Sequence, residues 1–451
     1  MKDELRRPGS HSAYSPPDAP QPPHPETAVL HAGFRHDPAT LSTTVPLYLT
    51  NAYAFESVAH ASDVFDLRTD GRTYSRLMNP TTDVLEQRLA VLEGGIAAVA
   101  TSSGQAAIML ALLNIAQAGD NIVSSTQLYG GTINLLSTTF ARLGIETRFA
   151  DPGDPSAFAA ATDDRTRAYF GEVLPNPMLI PLPLQELGRL ANAHGIPLIV
   201  DNTMSPLICK PLEHGAHVVV HSTSKYICGH GTTIGGVVVD GGAFDWQAHA
   251  DRFPLMTQPD MSHGEINWLD AAANLDGAYG HSPYLLKMRN TLMRDFGPCP
   301  SPFASFLMLQ GLETLPLRMP RHCENAQMLA RHLATHPRVG AISYPTCGTD
   351  AIRQQAARNM GPYGGPMMQL EVIDGLAGGR RFMERLKRVY HVSNIGDART
   401  LATHPASTTH ASIDAKARRA SGVNDGTIRL SVGLEHIDDI ISDIDQALAH
   451  D

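Results

Sequence analysis

The chain has 451 residues, enough for two or three domains and a large buried core. Hydrophobic residues make up 43% and charged residues 18%, an ordinary globular balance, and a formal net charge of -10 with no basic block argues against nucleic-acid binding. Five scattered cysteines without a C-x-x-C pair suggest neither a disulfide framework nor a zinc site, and no run of about 18 apolar residues is available to span a membrane.

In chain order, residues 1–25 are charged and proline-rich without an apolar centre, which predicts a disordered arm rather than a secretory signal, and a cytoplasmic protein. Residues 26–75 are mixed and turn-rich. The pattern sharpens at Asn79, an N-cap, with Pro80 at the first helical position. Val84, Leu85, Leu89 and Leu92 then mark an amphipathic helix that stops at Gly94-Gly95. IAAVAT predicts a strand that runs into a helix over SSGQAAIMLALLNIAQAGD. NIVSS, IETRFA, RAYFGE, IPLIVD and HVVVHS read as further strands, with LQELGRLANAHG as a helix between them. Apolar strands alternating with helices predict an α/β domain with a mostly parallel sheet, over residues 76–298. From residue 299 the texture changes to long helical stretches, then a strand in PMMQLEVID, a helix in GLAGGRRFMERLKRVY, and TIRLSVGLE leading into a final helix. This predicts a second, smaller α+β domain over residues 299–451. Residues 255–290 show no clear pattern, and there are no internal repeats.

The stretch VVVHSTSKYICGHGTTIGGVVVD, residues 218–240, contains one lysine, Lys225, between a β-branched run and a string of glycines. Lysines at strand ends commonly just reach water. The other reading is that the amine is neutralised or covalently bonded, as in Schiff-base lysines, because burying an unpaired ammonium is costly. Ligands of parallel α/β sheets sit at the carboxyl ends of strands. There Lys225 is joined by Asp201, which ends IPLIVD, and by Ser102-Ser103-Gly104-Gln105, which links a strand to a helix N-terminus. An amine, a carboxylate and a helix N-terminus suit a ligand with an aldehyde, a basic ring nitrogen and a phosphate, as pyridoxal 5'-phosphate has. The helix start would offer free N–H groups and a positive dipole end to the phosphate. Asp201 would keep the ring nitrogen protonated, and Lys225 would hold the aldehyde and then act as a base. Tyr129, in QLYGGT, could stack on the ring. Each residue alone has a plainer reading: a turn cap, a common helix start, simple packing.

On these residues the sequence resembles the pyridoxal-phosphate enzymes of cysteine and methionine metabolism, and among them the O-acetylhomoserine sulfhydrylase branch. The resemblance runs from about Glu26 to the C-terminus and is carried by YSRLMNPTTDVLE, SSGQAAI, GDNIVSS, LYGGT, PLIVDNT, HSTSKY, SPFASFLMLQGLETLPLRM, NIGDA, HPASTTH and IRLSVGLEHIDDII. It implies a fold-type I transferase with pyridoxal phosphate as cofactor and no metal. Ser103, Gly104 and Gln105 match its cofactor-binding helix start. Tyr74 and Arg76 match a Y-x-R-x-x-N-P motif that reaches the phosphate of a neighbouring subunit's cofactor, so residues 26–75 would serve the partner's site and the enzyme would be a homotetramer built from dimers. Ser222 and Ser224 match phosphate-binding hydroxyls, here in S-T-S-K rather than S-A-T-K. Asn176, in LPNP, matches the residue near the phenolic oxygen and the substrate carboxylate. Arg429 matches the carboxylate clamp, a bidentate task suited to guanidinium, and Ser407 matches the loop lining that pocket.

The implied reaction is γ-replacement on O-acetyl-L-homoserine, with sulfide or a thiol giving homocysteine or methionine and acetate. Gly131 bears on this: methionine γ-lyases of the family typically have cysteine there, so Y-G-G-T favours replacement over degradation. Cys228 stands where the branch has glycine, and reads as a small buried residue. NPMLIPLP lacks a polar residue often found there, residues 266–285 look longer than usual, and the stretch after TCGTD looks shortened. These departures keep open a specialised γ-substitution enzyme using another thiol or a carbon nucleophile, and a methionine γ-lyase-like enzyme. A nicotinamide dehydrogenase would need G-x-G-x-x-G where the chain has S-S-G-Q. A non-catalytic relative is expected to lack Lys225, Asp201 or Arg429, and all three are present. The 21 histidines, His221 and His230 among them, are assigned to packing and hydrogen bonding.

Overall fold

The computed structural model describes residues 23–275, 281–411, 414–420 and 422–449. The expected arm lies outside them except for its last three residues, and Pro25 already opens the helix Pro25–His31. None of the helices among the described residues is long and apolar enough to cross a membrane.

The larger part is a seven-stranded sheet. Its strands are β1 (Ala97–Thr101), β2 (Asn121–Ser125), β3 (Glu146–Ala150), β4 (Thr166–Glu172), β5 (Leu198–Asp201), β6 (Val218–His221) and β7 (Gly236–Asp240). They lie in the order β1-β7-β6-β5-β4-β2-β3, and only β7 runs antiparallel to its neighbours. Helices cover both faces, so β1, β2, β6 and β7 are buried along their whole length, which is why they read as apolar runs rather than alternating ones. The sequence reading passed over β7. Its valines, Val237 to Val239, follow glycines that read as loop, and only the space between β1 and β6 makes them a strand.

The helix Pro80–Glu93 starts at Asn79, whose side chain accepts from the Thr81 N–H, and stops at Gly94 with φ 77°. It is less amphipathic than its pattern predicts. Besides Val84, Leu85, Leu89 and Leu92, it buries Glu86, Arg88 and Glu93. Each charge has a partner: Arg289 at 2.8 Å from Glu86, Glu313 at 3.0 Å from Arg88, and His221 at 2.7 Å from Glu93. Burying such groups is tolerable only when they are paired.

A second sheet contains β8 (Val339–Ser343), β9 (Met367–Val372), β10 (Tyr390–His391), β11 (Leu401–Thr403) and β12 (Thr427–Ser431), in the order β10-β11-β12-β9-β8. The helix Leu315–Leu333 bridges the two cores. Met319 and Cys323 pack with the large sheet, whereas Ala326, Leu329 and Leu333 pack under the small one. This helix thus contributes to both cores, and Ala356, Met360, Met367 and Ile395 further along the chain also pack with the large one. The 255–290 region contains the helices Trp268–Asn274 and Pro283–Met288, with Trp268 fully buried.

Candidate functional site

Parallel strands deliver their carboxyl ends to one edge. Glu172, Asp201 and His221 end β4, β5 and β6 there, and Thr101 ends β1 at the same edge because β7 reverses between β1 and β6. The turn after β6 carries Lys225. Its backbone is gripped from two sides. The buried Arg318 donates to the carbonyls of Tyr226 at 2.7 Å, Ile227 at 3.1 Å and Gly311 at 2.7 Å. On the other side the loop of the small domain closes over it at Gly396, whose φ is 74°. A methyl group on Gly396 would stand 2.6 Å from Tyr226 N and 2.8 Å from Lys225 C, so no side chain fits. The same loop brings Asn394, whose Oδ1 accepts from Lys225 Nζ at 2.5 Å. Burial, and next the charge of Arg429, hold the Lys225 amine below the usual lysine range.

Asp201 is half-buried and forms no salt bridge among the described residues, with the His221 imidazole within electrostatic reach of it. Loss of solvent pushes its carboxyl up, against hydrogen bonds from Thr203, whose N–H lies 2.8 Å from Oδ1. Thr203 Oγ1 in turn accepts from the Ser222 N–H at 2.7 Å, which locks the aspartate turn to the lysine turn. Behind them His221 is buried, with Nε2 on Glu93 and Nδ1 without a hydrogen-bond partner.

The helix Gly104–Leu113 opens against this edge. Ser103 caps it by accepting from the Ala106 N–H at 3.1 Å, which leaves the N–H groups of Gly104 and Gln105 without intrahelical partners. A methyl group on Gly104 would lie 2.6 Å from Ser222 Cβ, so the helix start and Ser222 share one small space. The proton of the Ser224 hydroxyl goes to Gly235 O at 3.1 Å, and the Gly235 N–H returns a bond of 2.9 Å. Tyr129 is 53% exposed beside Gln105 and Gly131. Asn176 is buried and its backbone N–H donates to Glu172.

Arg429 is buried on β12. Among the described residues its guanidinium makes one hydrogen bond, a 3.4 Å contact to Thr403 Oγ1, and has no carboxylate partner, and burial pulls it below the usual range. Ser407 is half-buried in the 404–410 loop, with its hydroxyl on His404 Nδ1 at 2.8 Å. Tyr74 and Arg76 are exposed, with the Arg76 guanidinium 5.5 Å from the Tyr74 ring centroid, and no contact ties either to the lysine turn. The structure thus gathers Lys225, Asp201, Ser103, Gly104, Gln105, Ser222, Tyr129, Asn176 and Arg429 at one edge and leaves Tyr74 and Arg76 at the surface. Asn394, Arg318 and Glu172 escaped the sequence reading; Glu172 ends a predicted strand beside Asp201, which was a usable signal.

The donor set fits pyridoxal phosphate on geometry alone. A helix start and a serine hydroxyl converge for a phosphate, a half-buried carboxylate is free of salt bridges, a lysine amine is held below its usual range, and a buried guanidinium has no carboxylate partner, all among the described residues.

Comparisons with known proteins agree with that donor set. A family model described as Cys/Met metabolism PLP-dependent enzyme matches residues 26–449. An O-acetyl-L-homoserine sulfhydrylase of Leptospira meyeri is 46% identical over 428 residues, covering 94% of this chain and 96% of the relative. A homocysteine synthase of Schizosaccharomyces pombe is 43% identical, covering 94% and 98%. A crystal structure from Campylobacter jejuni, solved as a candidate O-acetylhomoserine (thiol)-lyase with a pyridoxyl-lysine monophosphate, superposes with a TM-score of 0.89 at 36% identity, covering 94% of this chain and 99% of that one.

Proposed function

The chain belongs to the Cys/Met metabolism PLP-dependent enzymes, and on that premise we propose that it catalyses γ-replacement on O-acetyl-L-homoserine, with sulfide or a small thiol displacing acetate. The observation that carries the proposal is the buried, acid-free guanidinium of Arg429 within electrostatic reach of the Lys225 amine. Such a pair suits an α-amino acid, whose carboxylate and amine need a fixed cation and an exchangeable amine.

Bound pyridoxal phosphate supplies an electron sink and a covalent handle for the substrate amine. Lys225 would hold the cofactor through its aldehyde carbon, and its Nζ, which donates to Asn394 Oδ1 here, would move a proton at the substrate Cα. Asp201 keeps negative charge at the ring nitrogen. Ser103, Gly104, Gln105, Ser222 and Ser224 would hold the phosphate, with the Ser224 hydroxyl also bonded to Gly235. Tyr129 would cover one ring face, Asn176 would meet the phenolic oxygen, and Arg429 with the Ser407 loop would take the carboxylate. A side chain at Gly131 would meet the Tyr129 ring, so this position and the placement of that ring are linked.

The test is a panel of nucleophiles. Purified protein with O-acetyl-L-homoserine and sulfide is expected to yield homocysteine and acetate, identified by mass. Inactivity with sulfide alongside rapid reaction of another donor would rule out the sulfhydrylase reading. Release of 2-oxobutanoate and ammonia would instead mark a lyase.

A second copy of the chain completes the site in this reading, supplying Tyr74 and Arg76 to the phosphate. Support comes from their exposure and from apolar side chains left open in the same segment: Leu49 at 70%, Val58 at 89% and Phe65 at 61% exposure. Arg76→Ala and Lys225→Ala proteins, each inactive, are expected to recover about a quarter of wild-type activity when unfolded together and refolded as a mixture, because half the dimers are hybrids with one intact site. No recovery on mixing would place both residues in one subunit's own site.

A further inference from the structure

We propose that Glu172 is a positioning residue of the cofactor slot: its carboxyl, at the end of β4, ties down the two segments that carry Tyr129 and Asn176. The proposal rests on the reading of those two residues as cofactor contacts.

Glu172 is 6% exposed. Its Oε1 accepts from the Tyr129 N–H at 2.5 Å and its Oε2 from the Asn176 N–H at 3.4 Å. Both donors are backbone groups, so the carboxyl fixes the path of two chain segments. This matters most for Tyr129. Its side chain is half exposed, so core packing does not place the ring, and the residue sits at the mouth of a helix of five residues, Gly130–Asn134. The anchored N–H sets where that helix begins and hence where the ring can lie.

Glu172 also pairs with Asp201 in the sheet register, and registered residues of parallel strands point to the same face. Two carboxyls side by side in a buried place are unfavourable unless one is neutral. Burial, and next the charge of Asp201, push the Glu172 carboxyl well above the usual range. The Glu172 carboxyl can accept both backbone bonds whether or not it carries a proton, so its anchoring of the two segments does not depend on its charge. Apolar filling would not hold the two N–H groups, and a second ionised acid would compete with Asp201 for the proton.

The experiment compares holoenzymes of wild type, Glu172→Gln and Glu172→Asp. Gln keeps one acceptor and turns an NH2 toward the other N–H, and Asp withdraws both oxygens by one methylene. Loss of one such bond, at about 1.4 kcal/mol, is expected to lower kcat about tenfold with a smaller change in KM, and to shift the visible circular dichroism of the bound cofactor. The fall should shrink when Glu172→Gln is combined with Tyr129→Ala, because the ring it positions is gone. Unchanged kcat and cofactor dichroism overturn the proposal. An undiminished effect in the Tyr129→Ala background overturns it as well. If Glu172→Gln fails to fold, Glu172→Asp decides by the same readings, and failure of both to fold assigns the residue to structure alone. A wild type without any cofactor band overturns the underlying cofactor reading instead, a result distinguishable before any variant is made.

Discussion

Lys225→Ala is expected to lose at least about 10⁴-fold in kcat, since it removes both the covalent attachment and the proton carrier. In the wild type, borohydride reduction should fix the cofactor's mass on the peptide containing Lys225, and the variant should gain no such mass. The structure adds a less obvious expectation about stability. A lysine whose folded pKa is depressed binds its proton less well in the folded than in the unfolded chain. That penalty applies below the folded pKa and is relieved as pH rises through the folded pKa toward the unfolded one. At neutral pH the ammonium is therefore a burden that its bond to Asn394 only partly offsets. The cofactor-free variant should denature within about 1 kcal/mol of the cofactor-free wild type, the net worth of one hydrogen bond. Residual turnover above a few parts in ten thousand, or about 3 kcal/mol of lost stability, would contradict the role assigned to the amine.

Arg429→Met should separate binding from folding. Two charge-assisted bonds to a substrate carboxylate are worth about 3 to 6 kcal/mol together, so kcat/KM for O-acetyl-L-homoserine should fall about 10² to 10⁴-fold. Most of that loss should appear in KM, because the carboxylate is held alike before and during reaction. Without substrate, and among the described residues, the guanidinium is buried with a single 3.4 Å bond and no carboxylate beside it. A desolvated charge with so little compensation costs stability, and apolar replacement of such groups is neutral or favourable by about 1 to 4 kcal/mol. The variant should thus unfold at equal or higher denaturant concentration than the wild type while barely binding substrate. A variant that keeps its KM, or one that unfolds much earlier, would mean that Arg429 serves the fold.

Local signals in the sequence marked many of the residues that the fold gathers at the candidate site. Asn79-Pro80 and Gly94 mark a helix that forms between them, and the strand runs that end at Asp201 and His221 are strands in the fold. Asp201 and Lys225 were legible because a parallel sheet puts strand ends and the turns beyond them at one edge. Arg429 was legible only through the resemblance, since an arginine inside TIRLSVG has nothing in its neighbourhood to mark it. The burial of Glu86, Arg88 and Glu93 in the helix Pro80–Glu93 had no local signal, because their partners come from distant segments.

The sequence alone determined the alternation of strands and helices and the chemical identities at the strand ends, because periodicity and capping are short-range properties. The tertiary structure decided which of those ends face one another. It inserted β7 backwards between β1 and β6, set Asn394 on an amine 169 residues away, wrapped Arg318 around the lysine turn and put Glu172 under Tyr129. Those contacts satisfy buried donors and acceptors across long separations, and the free energy that selects them exists only once the chain has closed around them.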